Sequence, residues 1–91
     1  MGIIEFVANI MSFNLFTPKE ISQKLAQRAK ELRLNINLTQ EGLAKRSGVT
    51  LASIKRFERT AEISLKNICK IALVLNALDD FENLFIPKTK N

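Results

Sequence analysis

The amino-acid sequence contains no histidine, tryptophan or tyrosine, and only one cysteine and three glycines among its 91 residues. Without histidine there is no imidazole base or imidazole metal ligand, and a single cysteine forms neither a zinc site nor an internal disulfide. Three glycines form no phosphate-cradling loop. No apolar run approaches the roughly 20 residues needed to span a bilayer. The sequence therefore argues against an enzyme, a bound cofactor or metal and a membrane protein, and it predicts a soluble protein of the reducing cytoplasm.

Positive charge is concentrated in the first two thirds of the chain. The net charge is +5, and residues 17–59 hold ten Lys or Arg against four Glu, whereas residues 61–91 hold four of each sign. Such clustering is expected of a surface that binds phosphates. The same clustering of Lys and Arg is also typical of a solvated helix surface, so charge alone does not establish nucleic-acid binding.

The sequence predicts an all-helical domain whose first helix has the clearest start. Thr17 suits the N-cap, Pro18 suits the first helical position, and Glu20 completes a capping box. Apolar residues at helical spacing predict the buried face of this helix: Ile21, Leu25, Ala29 and Leu32.

Four further helices follow from similar start and stop signals. The predicted bounds are about Pro18 to Leu34, Gln40 to Ser47, Leu51 to about Arg59, a fourth helix after the cap Ser64, and Asp80 to about Phe85 after the cap Asp79. The predicted buried face of the fourth helix comprises Leu65, Ile68, Cys69, Ala72 and Leu75.

The run LTQEGLAKRSGVTLASIKRFE, residues 38–58, predicts two short helices that cross at a tight turn. Gly48 follows the last periodic residue of the second helix, where a left-handed conformation favours glycine. Thr50 then caps the third helix. A side chain longer than that of Ala44 would hold the two helix axes apart. The residues expected to face inward are Leu43, Ala44, Val49, Ile54 and Phe57.

This run resembles, without gaps, the helix-turn-helix of the lambda-repressor-like regulators, the XRE family. Counted from Gln40, the motif has small, glycine or apolar residues where the family keeps them: Ala44, Gly48, Val49, Ile54 and Phe57. The resemblance covers about residues 19–85 and implies an all-α, five-helix DNA-binding domain with the helix-turn-helix at helices 2 and 3. The chain departs from the family after Glu58, because the family usually has a glycine two residues later and this chain has Thr60.

The resemblance also implies which residues contact bases of double-stranded DNA: Thr50, Leu51, Ala52, Lys55 and Arg56. Leu51 and Ala52 suit the thymine methyl group, and Lys55 or Arg56 suits guanine O6 and N7. Two alternatives remain open. Leu51 is also suited to a half-buried packing role, and the two cations to phosphate contacts.

Four further residues are predicted to contact DNA phosphates: Gln40, Ser53, Arg59 and Lys66. Gln40 opens helix 2, where free backbone N–H groups and the helix dipole favour an anion. A solvated side chain is the alternative for each of the four. The resemblance further implies a structural ion pair between Arg33 and Glu58 across the back of the motif.

The runs SGVTLASIKRFERT and ISLKNICKIALVLNALDDFENLF look like small HipB-like regulators that act as antitoxins beside HipA-type kinases. The resemblance therefore implies a transcriptional repressor that is also an antitoxin, with a HipA-type kinase toxin as its partner. A phage repressor is a second context. A rival function is a protein-interaction module of the same fold that does not bind DNA.

Residues 1–16 form an apolar segment ahead of the predicted domain at 17–86, and residues 87–91 are predicted to be a disordered tail. The segment contains Glu5 and no Lys or Arg, which argues against a secretory signal. Its apolar residues fit both helical spacing and strand alternation. It could pair with a second copy, pack on its own domain, dock on a partner, or be an incidental leader. Because one helix-turn-helix reads only a few base pairs, a homodimer is expected.

Overall fold

A computed structural model describes residues 16–88, and within this range it contains five α-helices and no strand. The helices are α1 (Pro18–Asn35), α2 (Gln40–Ser47), α3 (Leu51–Thr60), α4 (Leu65–Val74) and α5 (Leu78–Glu82). The predicted all-α, five-helix fold is confirmed. The predictions for residues 1–15 and 89–91 lie outside the described residues. No helix between residues 16 and 88 is long and apolar enough to cross a bilayer.

Each of the first four helices begins at a threonine or serine whose hydroxyl accepts a backbone hydrogen bond. The capping box is confirmed, since the Thr17 hydroxyl accepts from the Glu20 N–H at 3.1 Å and the Thr17 N–H donates to the Glu20 carboxylate at 2.9 Å. The other three caps are Thr39, Thr50 and Ser64. These short-range bonds satisfy backbone donors that a helix start leaves unpaired.

The core lies where α1 and α2 pack on α3 and where α2 packs on α4. Ile54 and Ile71 are its two fully buried large side chains. The inward orientation predicted for the helix-turn-helix is confirmed, with Ala44 half-buried at the edge of the core. The buried apolar residues are Ala26, Leu38, Leu43, Val49, Ile54, Phe57, Ile71, Ala72 and Leu75.

The buried face predicted for α1 is wrong in its main residues. Leu25 and Leu32 are 43% and 40% exposed, Ile21 is 43% exposed, and only Ala29 of the predicted set is half-buried. The helix instead buries Ala26 and Arg33, because Arg33 pairs with a carboxylate on α3 and fixes the rotation of α1. The leucine stripe is consequently left on a different side of the helix.

The prediction for α4 is wrong at its first residue. Leu65 is 72% exposed, whereas Ile71, which was not predicted to be buried, is 1% exposed. The two residues are six positions apart, which places them about 120° apart around a helix with 3.6 residues per turn. Of the other predicted residues, Ala72 and Leu75 are buried, while Ile68 and Cys69 are half-buried.

The predicted start of α5 is also wrong. Asp79 is not its cap, because the helix begins at Leu78 after Ala77, which makes no side-chain cap bond. Asn76 adopts a left-handed conformation and the Ala77 N–H donates to the Ala72 carbonyl at 2.8 Å. This turn joins α4 directly to α5 and places Asp79 inside the first helical turn.

The left-handed residues that end α2 and α3 differ in how well they suit that conformation. Gly48 ends α2 at φ 76°, as predicted, and Asn37 is left-handed after α1. The position of the family's usual glycine is Thr60, but the left-handed residue that ends α3 is the next one, Ala61, at φ 65°. A left-handed conformation costs an L-residue with a Cβ roughly 1–2 kcal/mol.

We expect reciprocal substitutions at these two ends to have opposite effects on stability. Gly48→Ala should lower the free energy of unfolding by about 1 kcal/mol, since a Cβ there meets no atom within 4 Å and only backbone strain is added. Ala61→Gly should raise the free energy of unfolding by about 0.5–1 kcal/mol. Urea denaturation measures both. Ala77→Gly, at φ −125°, is the control and should destabilise; a Gly48→Ala protein as stable as the parent would refute the strain.

Candidate nucleic-acid interface

The α2–turn–α3 unit is built by residues whose backbone roles follow from their chemistry. The Gly48 N–H donates to the Ala44 carbonyl at 3.0 Å and closes α2. The Val49 N–H donates to the Ser47 hydroxyl at 3.1 Å, and Thr50 then caps α3. Gly48 makes the sharp change of direction possible, so α3 crosses α2 with one face against the core and the other outside.

The buried side of α3 determines which of its residues face solvent. Ile54 and Phe57 are 0% and 3% exposed. Four of the residues predicted to contact bases are exposed, namely Thr50, Ala52, Lys55 and Arg56. Leu51 is half-buried, so its packing role and its contact with a base both remain compatible with the geometry.

The positive and negative side chains of α3 lie on different faces of the helix. Its cations, Lys55, Arg56 and Arg59, are all exposed. Its only acid, Glu58, points toward α1, where the side chain is 7% exposed and paired with Arg33. The outward face of α3 therefore presents three positive charges that its own acid does not offset.

The Arg33–Glu58 ion pair predicted from the sequence is confirmed, and it is bidentate. The Arg33 Nε donates to Glu58 Oε2 at 2.7 Å and its Nη2 donates to Oε1 at 3.0 Å. The remaining terminal nitrogen of Arg33 donates to the Leu38 carbonyl at 2.7 Å. One guanidinium thus joins α1, the loop before α2, and α3, with fork geometry that lysine could not reproduce.

Glu58 also holds the side chain of Gln40, whose amide nitrogen donates to Glu58 Oε1 at 2.9 Å. Burial raises the pKa of Glu58, but hydrogen bonds from Arg33 and Gln40 and the positive charges of Arg33 and Lys30 outweigh it and hold the pKa below its usual range. Glu58 is therefore ionised at neutral pH. Gln40, half-buried at the start of α2, is oriented from behind by this carboxylate.

Arg56 has a partner that the sequence reasoning missed. Its guanidinium forms an ion pair with Glu62, and both side chains are 63% exposed. No helical periodicity links the two residues, because they are six positions apart and lie on either side of the end of α3. The left-handed Ala61 between them turns the chain back toward α3. Any ligand of the Arg56 guanidinium would compete with this carboxylate.

The other predicted phosphate-contact residues lie near the end of α3 and the start of α4. Ser53 is half-buried; its N–H donates to the Thr50 hydroxyl at 3.1 Å and its own hydroxyl accepts from Thr50 at 2.9 Å. Arg59 and Lys66 are exposed, in the last turn of α3 and the first turn of α4. A shallow depression of about 210 Å³ connects these regions. It is lined by Ser53, Arg56, Glu62, Ile63, Ser64 and Asn67.

The structure therefore places Ala52, Lys55 and Arg56 on one exposed face of α3, with Thr50 exposed at its N-cap. Leu51 and Ser53 lie at the edge of this face, and Gln40 is fixed beside Glu58. Residues 16–88 contain no group of three or more acidic, cysteine or histidine side chains able to hold a metal ion. The chemistry available on this surface is hydrogen bonding and charge attraction by cations, hydroxyls and a helix N-terminus.

Comparison with known protein families identifies a match over the helix-turn-helix region. A family model described as helix-turn-helix matches residues 30–81, from the last turns of α1 to α5, which is more than half of the chain. Comparisons with curated proteins and with solved structures give no significant match.

Proposed function

The chain belongs to the lambda-repressor-like XRE family of helix-turn-helix proteins and is a DNA-binding transcription regulator, and we propose that it is a repressor that binds its operator as a homodimer. The observation that carries this proposal is the outward face of α3, where three cations are exposed while the helix's own acid is buried on the opposite side. Of the three, Arg56 is paired with the exposed Glu62. A repressor acts by occupying its operator, so this DNA-binding surface and a second copy of it would be sufficient for repression.

In the proposed complex α3 lies in the major groove, with its first residues at the base edges. Leu51 and Ala52 contact thymine methyl groups, and Lys55 or Arg56 pairs with guanine. The proposed phosphate contacts are those of Gln40, Ser53, Arg59 and Lys66. The hydrogen bond from Gln40 to Glu58 supports this assignment, because it fixes the α2 start relative to α3 before DNA arrives.

The proposed homodimer would place two copies of α3 about 34 Å apart on one face of the duplex. Large apolar side chains exposed at the end of the described chain support a self-association surface. Phe85 is 96% exposed and its neighbours Leu84 and Ile86 are 51% and 54% exposed. Clusters of this kind mark interfaces more often than they remain in water.

The proposed cellular context is that of a cytoplasmic antitoxin that binds a HipA-type kinase toxin and also represses its own promoter. The support is the resemblance of residues 47–60 and 63–85 to such regulators. The exposed apolar surface away from α3 leaves room for a protein partner while α3 remains available to DNA.

We expect Arg56→Ala and Gln40→Ala to weaken DNA binding in different ways. If Arg56 is bidentate to guanine, Arg56→Ala should cost on the order of 1–3 kcal/mol on the promoter fragment and much less on random DNA. Gln40→Ala should weaken binding to both alike, because a phosphate contact does not read sequence. Titration of labelled promoter and random duplexes at fixed salt measures the two losses.

The matched control is Glu62→Gln, which removes the partner of Arg56 and leaves the guanidinium in place. It should bind both duplexes at least as tightly as the parent. Equal losses on the two duplexes for Arg56→Ala would make Arg56 a phosphate contact. Negligible binding to both duplexes by the parent at 50 mM salt would favour the protein-interaction module instead.

A further inference from the structure

An apolar groove lies on the side of the domain where α1 faces α4 and α5. Its volume is about 260 Å³. Leu25, Leu32 and Leu84 line it and remain 43%, 40% and 51% exposed. The other large apolar side chains in its walls and floor are Ile68, Ile71, Leu75 and Phe81.

The groove contains Leu25 and Leu32, which belong to the apolar stripe of α1 that the core does not bury. Ile21, Leu25 and Leu32 recur at helical spacing over about 16 Å of helix. Side chains in this pattern are typical of a helix face that packs against another element. α1 packs on α3 through Ala26 and Arg33, whereas Leu25 and Leu32 face α4 and α5 across the groove and remain partly exposed.

We propose that residues 3–10 of the same chain, IIEFVANI, cover this groove. The segment lies outside the described residues, and six of its eight residues are apolar. The segment is joined to α1 through Phe16, the residue before the N-cap. The Phe16 ring lies 4.5 Å from the ammonium of Lys24, the residue that precedes the groove residue Leu25.

The linking residues are long enough for this path. The first helical residue, Pro18, is about 10 Å along the axis from Leu25 and about 21 Å from Leu32. Residues 11–17 span up to about 24 Å when extended. The segment can therefore reach the full length of the groove. The short connection also gives it an effective concentration on the order of millimolar, which favours its own groove over that of a second copy at micromolar concentration.

The segment and the groove offer one pair of opposite charges. Glu5 is the only charged side chain in residues 1–16. The groove is lined by one cation, Arg28, and one acid, Asp80, and neither forms an ion pair within residues 16–88. Glu5 lies between two apolar residues of the segment, so it can face the rim where Arg28 stands while its neighbours enter the groove. This proposal does not depend on DNA binding.

Disulfide trapping in the full chain tests the occupant directly. In a Cys69→Ser background, Phe6→Cys combined with Leu32→Cys should oxidise to a disulfide within one chain, seen as a faster monomer band on a non-reducing gel. Phe6→Cys with Lys45→Cys is the control, because α2 contributes no residue to the groove. Cross-linked dimers would assign the groove to a second copy and overturn the proposal. Absence of a disulfide, or equal trapping in the control, would overturn it too.

A thermal-denaturation cycle tests the same contact without cysteines. Phe6→Asp and Leu25→Asp should each lower the Tm by about 5 °C or more, and the double variant should fall little further. Leu65→Asp is the control, since Leu65 is 72% exposed and outside the groove, and should change the Tm by less than about 2 °C. The effect of Phe6→Asp should be the same at low and high protein concentration. Additive losses, or an effect that disappears on dilution, would contradict the proposal.

Discussion

Affinity for the promoter duplex is expected to fall about a thousandfold when the salt concentration rises from 50 to 200 mM. Lys55, Arg56, Arg59 and Lys66 are exposed, and two copies of them would neutralise about six to eight phosphates. Each neutralised phosphate releases condensed counterions, so the logarithm of affinity falls linearly with the logarithm of salt concentration. Fluorescence titrations at four or more salt concentrations give the slope.

Charge-specific variants sharpen this measurement. Arg59→Ala should reduce the steepness of the slope by about one for each copy bound, whereas Arg59→Lys keeps the charge and should leave the slope unchanged. The same slope for Arg59→Ala and the parent would remove Arg59 from the interface. A flat salt response in the parent would remove the electrostatic basis of the proposed function.

Loss of the Glu58 carboxylate should change the free energy of unfolding more than the helix-end substitutions at Gly48 and Ala61. Glu58→Gln leaves the Arg33 guanidinium, 7% exposed, without its counter-charge, and removing one partner of a buried pair typically costs about 3–5 kcal/mol. Glu62→Gln makes the same chemical change in an ion pair that is 63% exposed, where the expected cost is below about 1 kcal/mol. Urea denaturation of the two variants compares a buried and an exposed pair within one chain.

The acid dependence of stability follows from the lowered pKa of Glu58. A carboxyl whose pKa is lower in the folded protein stabilises it fully above the unfolded value, near 4.3. This contribution disappears as the pH falls through the lower folded value. The difference in unfolding free energy between the parent and Glu58→Gln should therefore shrink below about pH 4. Equal pH profiles would show that the Glu58 charge does not contribute.

Features that depend on neighbours in sequence could be predicted, and those that depend on long-range pairing could not. The caps at Thr17, Thr50 and Ser64 and the left-handed Gly48 follow from side chains within four residues of the backbone groups they serve. Periodicity also placed Ile54 and Phe57 inside, which fixed the exposed side of α3.

The rotation of α1 could not be read from its apolar stripe. Its leucines have the spacing of a buried face, but the bond from Arg33 to Glu58, 25 positions away, turns a different face to α3. The family resemblance implies the Arg33–Glu58 ion pair. Its effect on which leucines are buried depends on how α1 packs on α3, which the sequence does not show. The sequence does not predict the Arg56–Glu62 pair, because the pair depends on the left-handed turn at Ala61 and no glycine at this position indicates such a turn.

The tethered carboxylate of Glu62 has a consequence for how the regulator finds its operator. A cation that releases one phosphate is exposed to water until it binds the next, whereas Arg56 has the Glu62 carboxylate within reach. If Arg56 contacts phosphates, releasing one would therefore cost less, and the barrier between successive positions on non-specific DNA would be lower. Proteins held by charge can slide and hop along the duplex. Glu62 would favour rapid sliding at the expense of residence time on any single wrong site, which shortens the search for the right one.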